Sequence, residues 1–139
     1  MHAKDWLTQP HELKEEILEG LENLAVLRSI VEKVTTDLSF TAGCSSSKEA
    51  HGFENAMLNI KAEEDKIWEK TELLQKTILE VLYKIDELEN PKHRAVLRMR
   101  YIQDMKFSEI AARLDLCEDR VWKIHREALK KFENSCTCL

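Results

Sequence analysis

Glycine and proline are scarce in this chain, with 3 and 2 among 139 residues. So few turn-forming residues do not suit a sheet protein and favour long helices. No apolar run approaches the roughly 18 residues that a membrane span needs. The amino terminus, Met1-His2-Ala3-Lys4-Asp5-Trp6, has no apolar stretch of the secretory kind. A soluble, cytoplasmic protein is therefore expected. No Gly-rich phosphate loop is present, and His11, His51, His93 and His125 are scattered. With no catalytic constellation, neither an enzyme nor a cofactor is expected. The acidic run Glu63-Glu64-Asp65 wraps around a helix surface and reads as solvated. The four cysteines, Cys44, Cys117, Cys136 and Cys138, form no CxxC pair. Free thiols in a reducing compartment are the default. Cys136 and Cys138 alone are too few for a zinc site, so no metal is expected.

What the chain does have is charge and apolar periodicity. Hydrophobic residues make up 43% and charged residues 34%, with a net charge of −5 at pH 7. The balance is uneven. Residues 91–139 carry 11 Lys and Arg against 7 Asp and Glu, a net +4, whereas residues 1–90 carry 10 against 19, a net −9. A basic end on an acidic body suggests that one end meets a polyanion.

The first helix is expected from about Pro10 to Val34. Pro10 suits a first turn, where its missing N–H costs nothing. Leu13, Ile17, Leu24, Leu27, Val31, Val34 and Leu38 follow a three-four spacing, and Gly20 holds the one small position in that stripe. Glu12, Glu15, Glu16 and Glu19 lie near the positive end of the helix dipole. A polar loop is expected at 35–52, with its core at Thr41–Ser47. The second helix is expected from about Phe53 to Glu89. There Phe53, Ile60, Ile67, Leu74, Val81 and Leu88 repeat every seven residues, and Met57, Ile78 and Ile85 fill companion positions. Trp68 and Leu82 widen that face and imply more than one neighbour. Two matching stripes imply a coiled-coil-like antiparallel hairpin over residues 1–90. A homodimer through the same stripes is left open.

Asn90-Pro91 breaks the pattern. Asn is a good N-cap and Pro a good first helical residue. A helix is expected to about Tyr101, with Ala95, Val96, Met99 and Ile102 facing inward. From Phe107 the chain reads FSEIAARLDLCEDRVWKIHREALKKF. Ile110, Ala111 and Leu114 suit a short helix crossed closely by another. Asp115 stands where such turns need a positive φ, which Gly allows most easily and Asp tolerates. Leu116 plugs the core. A helix from Glu118 to about Phe132 would bury Val121, Ile124, Ala128, Leu129 and Phe132. Residues 91–139 thus read as a three-helix helix-turn-helix domain, and the chain as all-α.

The run Glu109-Ile110-Ala111, Leu116-Cys117-Glu118-Asp119-Arg120-Val121, Ile124 and Ala128-Leu129-Lys130-Lys131-Phe132 resembles sigma factor region four. It departs at Cys117, where Ser or Thr normally caps the recognition helix, and at Glu118 and Trp122, where the family often has Arg. The sigma regions that melt DNA and clamp polymerase have no counterpart, which points away from a stand-alone initiating factor. Ala3-Lys4-Asp5-Trp6-Leu7, the hairpin, Asn90-Pro91 and Leu97-Arg98-Met99-Arg100-Tyr101-Ile102 are together similar to small phage proteins of the ArpU and RinA type, sigma-like late transcription regulators. The resemblance implies double-stranded DNA as partner, with bacterial RNA polymerase as a second.

The outer face of the last helix supplies candidate base contacts. Glu118 and Asp119 can accept from cytosine amino groups, and Lys123 and Arg126 can donate to guanine or phosphate. Trp122 can meet a thymine methyl or a sugar. Candidate phosphate contacts are Arg98, Arg100, Lys106, Arg113, Arg120, Lys130 and Lys131. The expected function is sequence-specific DNA binding in transcription regulation within a bacterial host. A small-terminase-like packaging factor, or a polymerase partner that binds no DNA, are the alternatives.

Overall fold

The computed structural model describes residues 2–40 and 47–136. Cys44, Cys138 and most of the expected loop core lie outside the described residues. Helices α1 (Ala3–Phe40) and α2 (Ser47–Asp86) come first. Helix α3 (Pro91–Leu97) runs into a π turn at Arg98–Ile102, and α4 (Phe107–Leu114) and α5 (Glu118–Cys136) complete the chain. The protein is all-α, a long hairpin followed by a helical C-terminal domain. Among the described residues no helix is long and apolar enough to cross a membrane.

The chain packs as two units, Glu15–Glu72 and a second made of Met1–Lys14 with Leu73–Leu139. Within the first, Glu16 pairs with Lys70, Gly20 faces Ile67 and Arg28 pairs with Glu64. The partner number falls as the first rises, so the helices are antiparallel. Gly20 permits the approach: a Cβ there would lie 3.1 Å from Ile67 Cγ1. Leu24 and Ile60 are buried on the facing stripes. The expectation for Trp68 is corrected. It is 67% exposed, and Leu58 and Met57, further back on α2, are exposed too.

The loop expected at 35–52 is also shorter. Neither Gly nor Pro interrupts residues 35–40, and the Thr35 and Thr36 hydroxyls donate back to the Val31 and Glu32 carbonyls. Such back-bonding satisfies the two hydroxyls on the helix itself. On the other side, Lys48, Glu49 and Ala50 are good helix formers.

In the second unit, α1 begins at Ala3 and not near Pro10, which lies inside the helix. An interior proline removes one backbone hydrogen bond and costs about 3 kcal/mol. Packing outweighs that cost. Ala3, Leu7 and Pro10 are buried, and Trp6 packs on Phe132 with ring centroids 5.6 Å apart. Burying one leucine contributes about 1.5–3 kcal/mol, so Leu7 alone is of the order of the proline penalty, and the partly buried Trp6 adds to it.

Helix α2 stops at Asp86 instead of Glu89. Leu88 is buried all the same, because the turn carries it into the core with Leu7, Val81, Ile85, Leu97, Tyr101, Ala128 and Phe132. The Arg94 guanidinium donates to the Leu88 and Glu89 carbonyls at the helix end. Asn90 caps α3 as expected, its Oδ1 accepting from Lys92 N at 2.9 Å. A second core holds Val96, Ile110, Ala111, Val121 and Ile124, with Met99, Met105, Phe107, Leu114 and Leu116 packed against it.

Helix α3 therefore serves two cores. The single inward face expected from Ala95, Val96, Met99 and Ile102 was incomplete, because Leu97 and Tyr101 are buried on the other side. Packing also divides the chain elsewhere than at Asn90, since residues 1–14 and 73–90 belong with the C-terminal helices. The replacement Leu7→Ala should cost about 2–5 kcal/mol, as for other buried leucines. It should also lower hydrogen-exchange protection in α5. Unchanged protection of α5 would mean that the N-terminal segment lends this core no stability.

Candidate DNA-reading face of the helix-turn-helix

The geometry of the site starts at the turn between α4 and α5. Asp115 has φ 55° and ψ 46°, the left-handed conformation expected from the sequence. Leu116 N donates to Ala111 O at 2.9 Å and Asp115 N to Ala112 O at 3.4 Å. These two bonds close the helix in a Schellman motif, and Leu116 packs into the core beneath it. At the other end of α4, the Glu109 carboxylate accepts from Lys106 N at 2.8 Å. A second left-handed residue, Asp104 (φ 53°), had no expectation attached. Its carboxylate accepts from Lys14 Nζ at 2.7 Å and lies 3.2 Å from His11 Nδ1. Lys14 also donates to Ile102 O at 2.9 Å.

Helix α5 starts with the Cys117 carbonyl accepting from Arg120 N and Val121 N at 3.1 and 3.2 Å. Its inner side buries Val121, Ile124, His125, Ala128 and Phe132. Its outer side leaves Glu118, Asp119, Trp122, Lys123, Arg126 and Lys130 exposed. Asp119, Trp122, Lys123 and Arg126 line one shallow depression of about 430 Å³. The structure thus brings together four of the five candidate base-contacting residues, and Glu118 lies exposed in the first turn beside them.

The candidate phosphate contacts divide. Lys106, Arg113, Arg120, Lys130 and Lys131 are exposed, although Arg113 reaches Gln103 Oε1 at 3.4 Å. Arg98 and Arg100 are half-buried and engaged inside the unit. Arg98 is paired with Asp86. Arg100 donates to Met105 O at 3.0 Å, and its guanidinium lies 4.8 Å from the centre of the Phe107 ring.

An aromatic cluster underlies the face. Trp122 stacks on Phe107 with centroids 4.1 Å apart and planes 20° from parallel. His125 meets Phe107 and Trp122 edge-on, at 5.1 and 5.9 Å. The Tyr101 hydroxyl and His125 Nε2 share a hydrogen bond of 2.9 Å. Phe107, Tyr101 and His125 were not expected to support the face. The one sequence signal was a large aromatic on an otherwise charged surface, which needs apolar cover. Finding that cover requires knowing how α4 crosses α5.

Burial pushes the His125 imidazole down to about 4, and the positive charges of Arg100 and Lys4 act in the same direction. Burial also raises Tyr101, against the opposing effect of Arg100. Both side chains are neutral at pH 7. His125 Nδ1 is buried with no hydrogen-bond partner among the described residues. Among the described residues no group of three or more His, Cys, Asp and Glu is placed to hold a metal ion.

Residues 85–132, roughly a third of the chain, match the family model of Sigma-70, region 4. No curated protein and no solved structure matches the chain. The segment is a sigma region four-like helix-turn-helix, a DNA-binding domain of transcription regulation. The match begins before Pro91, at Ile85, which is buried in the same core as Phe132.

Two predictions follow from this geometry. A thiol is a weak acceptor at a helix N-cap, so Cys117→Ser should stabilise the domain by about 1 kcal/mol and raise its thermal midpoint. An unchanged or lower midpoint would deny Cys117 a capping position. For His125, the folded value lies below the ordinary 6.5. Stability from the neutral imidazole is fully present above pH 6.5 and is lost as pH falls towards about 4. The loss is at most about 3 kcal/mol. His125→Gln keeps a partner for Tyr101 but does not titrate, so the decline in urea midpoint between pH 6.5 and 5 should flatten. An equally steep decline in the variant would assign it to other groups.

Proposed function

We propose that this protein is a sequence-specific DNA-binding transcription regulator that sets α5 in the major groove. The observation that carries this reading is the exposed mixed face of Asp119, Trp122, Lys123 and Arg126 on the second helix of a helix-turn-helix. Donors and acceptors on one helix face suit base edges, which differ in donor and acceptor pattern between base pairs. Lys106, Arg113, Arg120, Lys130 and Lys131 flank the face as phosphate contacts that fix position without reading sequence. Arg98 and Arg100, bound inside the unit, are left out of that set. The activity is binding and not catalysis.

The match to sigma region four supports RNA polymerase as a second partner. The finer reading, a phage-encoded late regulator acting with host polymerase in the bacterial cytoplasm, rests on the resemblance of Ala3–Leu7 and Leu97–Ile102 to the ArpU and RinA type.

Selection of bound duplex from a random pool tests the central claim. On the selected duplex, Lys123→Ala and Arg126→Ala should each weaken binding by about 5- to 100-fold and relax preference at one position. Lys130→Ala and Lys131→Ala should instead weaken all sequences alike. Each should lower the slope of affinity against salt by about 0.9. Failure to bind any duplex at low salt would sink the DNA reading. In vitro transcription from the selected site, with and without the protein, tests the coupling to polymerase.

A further inference from the structure

Trp122 is 44% exposed, a large apolar group among Asp119, Lys123 and Arg126. We propose that Trp122 determines specificity for a pyrimidine C5-methyl group in the major groove, and that Phe107 is the positioning residue that holds it there. This rests on the DNA-binding reading given above.

Three observations narrow what the indole can do. The stack on Phe107 covers one ring face. A wedge inserted between base pairs needs both faces, so intercalation is disfavoured. The indole also shares one depression with Asp119, Lys123 and Arg126, groups suited to base edges, and this grouping favours a contact with a base edge over one with a sugar. The apolar group that base pairs display in the major groove is the C5-methyl of thymine. Methylated cytosine carries the same group at the same ring position.

The side chain is also held in place before DNA arrives. Turning Trp122 outward would break its stack on Phe107 and its edge contact with His125. Phe107 is held in turn by the Arg100 guanidinium and the edge of His125. Arg100 is tied to the Met105 carbonyl. A group already fixed in its bound position loses little freedom on binding. It should then discriminate a single methyl group better than a mobile one would.

The test uses the full chain and the duplex selected from a random pool. Each thymine is replaced in turn by uracil, which keeps pairing and removes only the methyl. Each cytosine is replaced in turn by 5-methylcytosine. Binding is read by fluorescence anisotropy. Burying one methyl should be worth about 3- to 5-fold in affinity. The expected result is one or two positions where uracil weakens binding by that factor, with the difference abolished in Trp122→Ala. A gain on cytosine methylation that Trp122→Ala abolishes supports the same contact and assigns the methyl to modified cytosine. Trp122→Phe, which keeps an aromatic ring against Phe107 but shortens the exposed edge, should also lose discrimination, and covers the case in which the alanine variant does not fold. Phe107→Leu should reduce discrimination, and Phe107→Tyr should restore it. Equal binding of methylated and unmethylated bases at every position overturns the proposal, as does discrimination that survives in Trp122→Phe. If the protein binds no duplex, the DNA reading itself falls and this proposal with it. If it binds without sensing the methyl, only this proposal falls.

Discussion

Val96 and Leu97 are neighbours in sequence, both are fully buried, and they lie in different cores. Successive residues on a helix point about 100° apart. Burying two in a row requires apolar surface on two sides of the same helix. On one side Val96 and Met99 meet α4 and the first half of α5. On the other, Leu97 and Tyr101 meet the start of α1, the end of α2 and the second half of α5. The π turn that follows, in which Gln103 N donates to Arg98 O at 3.0 Å, keeps that division where Met99 and Tyr101 must part. Each fully buried aliphatic side chain contributes about 1.5–3 kcal/mol. The helix is therefore fixed in rotation as well as position.

That constraint passes directly to α5. Its first half is anchored in one core through Val121 and Ile124, and its second half in the other through Ala128 and Phe132. A helix held at two levels cannot roll, so its outer residues keep one heading. Asp119, Trp122, Lys123 and Arg126 owe their common direction to this double anchorage. His125 shows its cost. It sits between the halves, where its ring helps hold Trp122, and its Nδ1 is left without a partner among the described residues. Burial of such a group disfavours the charged form.

The sequence was most legible where the determining interactions are local. The left-handed Asp115, the Asn90 cap and most inner residues of α5 follow from residues within a few turns of one another, although His125 is buried there unexpectedly and Leu129 only in part; the antiparallel hairpin follows from the two apolar stripes. The elements that were not legible depend on distant partners. Pro10 reads as a helix start until Trp6 is seen against Phe132. Leu88 reads as the sixth position of a heptad seam until the turn after Asp86 carries it into another core. Arg98 and Arg100 read as surface cations because their partners, Asp86, Met105 O and Phe107, lie beyond a helix end. Trp68 misled in the opposite sense. Its apolar character implied a neighbour, and none among the described residues covers it.

Charge now has to be counted by packing. The unit Glu15–Glu72 holds 6 Lys and Arg against 13 Asp and Glu, a net −7, and the remaining residues hold 15 against 13, a net +2. A net +2 is a weak attraction for a polyanion. Affinity that ignores sequence grows with the number of phosphates neutralised, and here Arg98 and Arg100 are committed internally. The cations left for that term are Lys106, Arg113, Arg120, Lys130 and Lys131. The acidic unit, carried on the same chain, adds a repulsion that salt would screen beyond about 10 Å. On the proposed DNA-binding reading, affinity that ignores sequence rests on these five cations, and discrimination between sequences rests on the four side chains around the depression on α5.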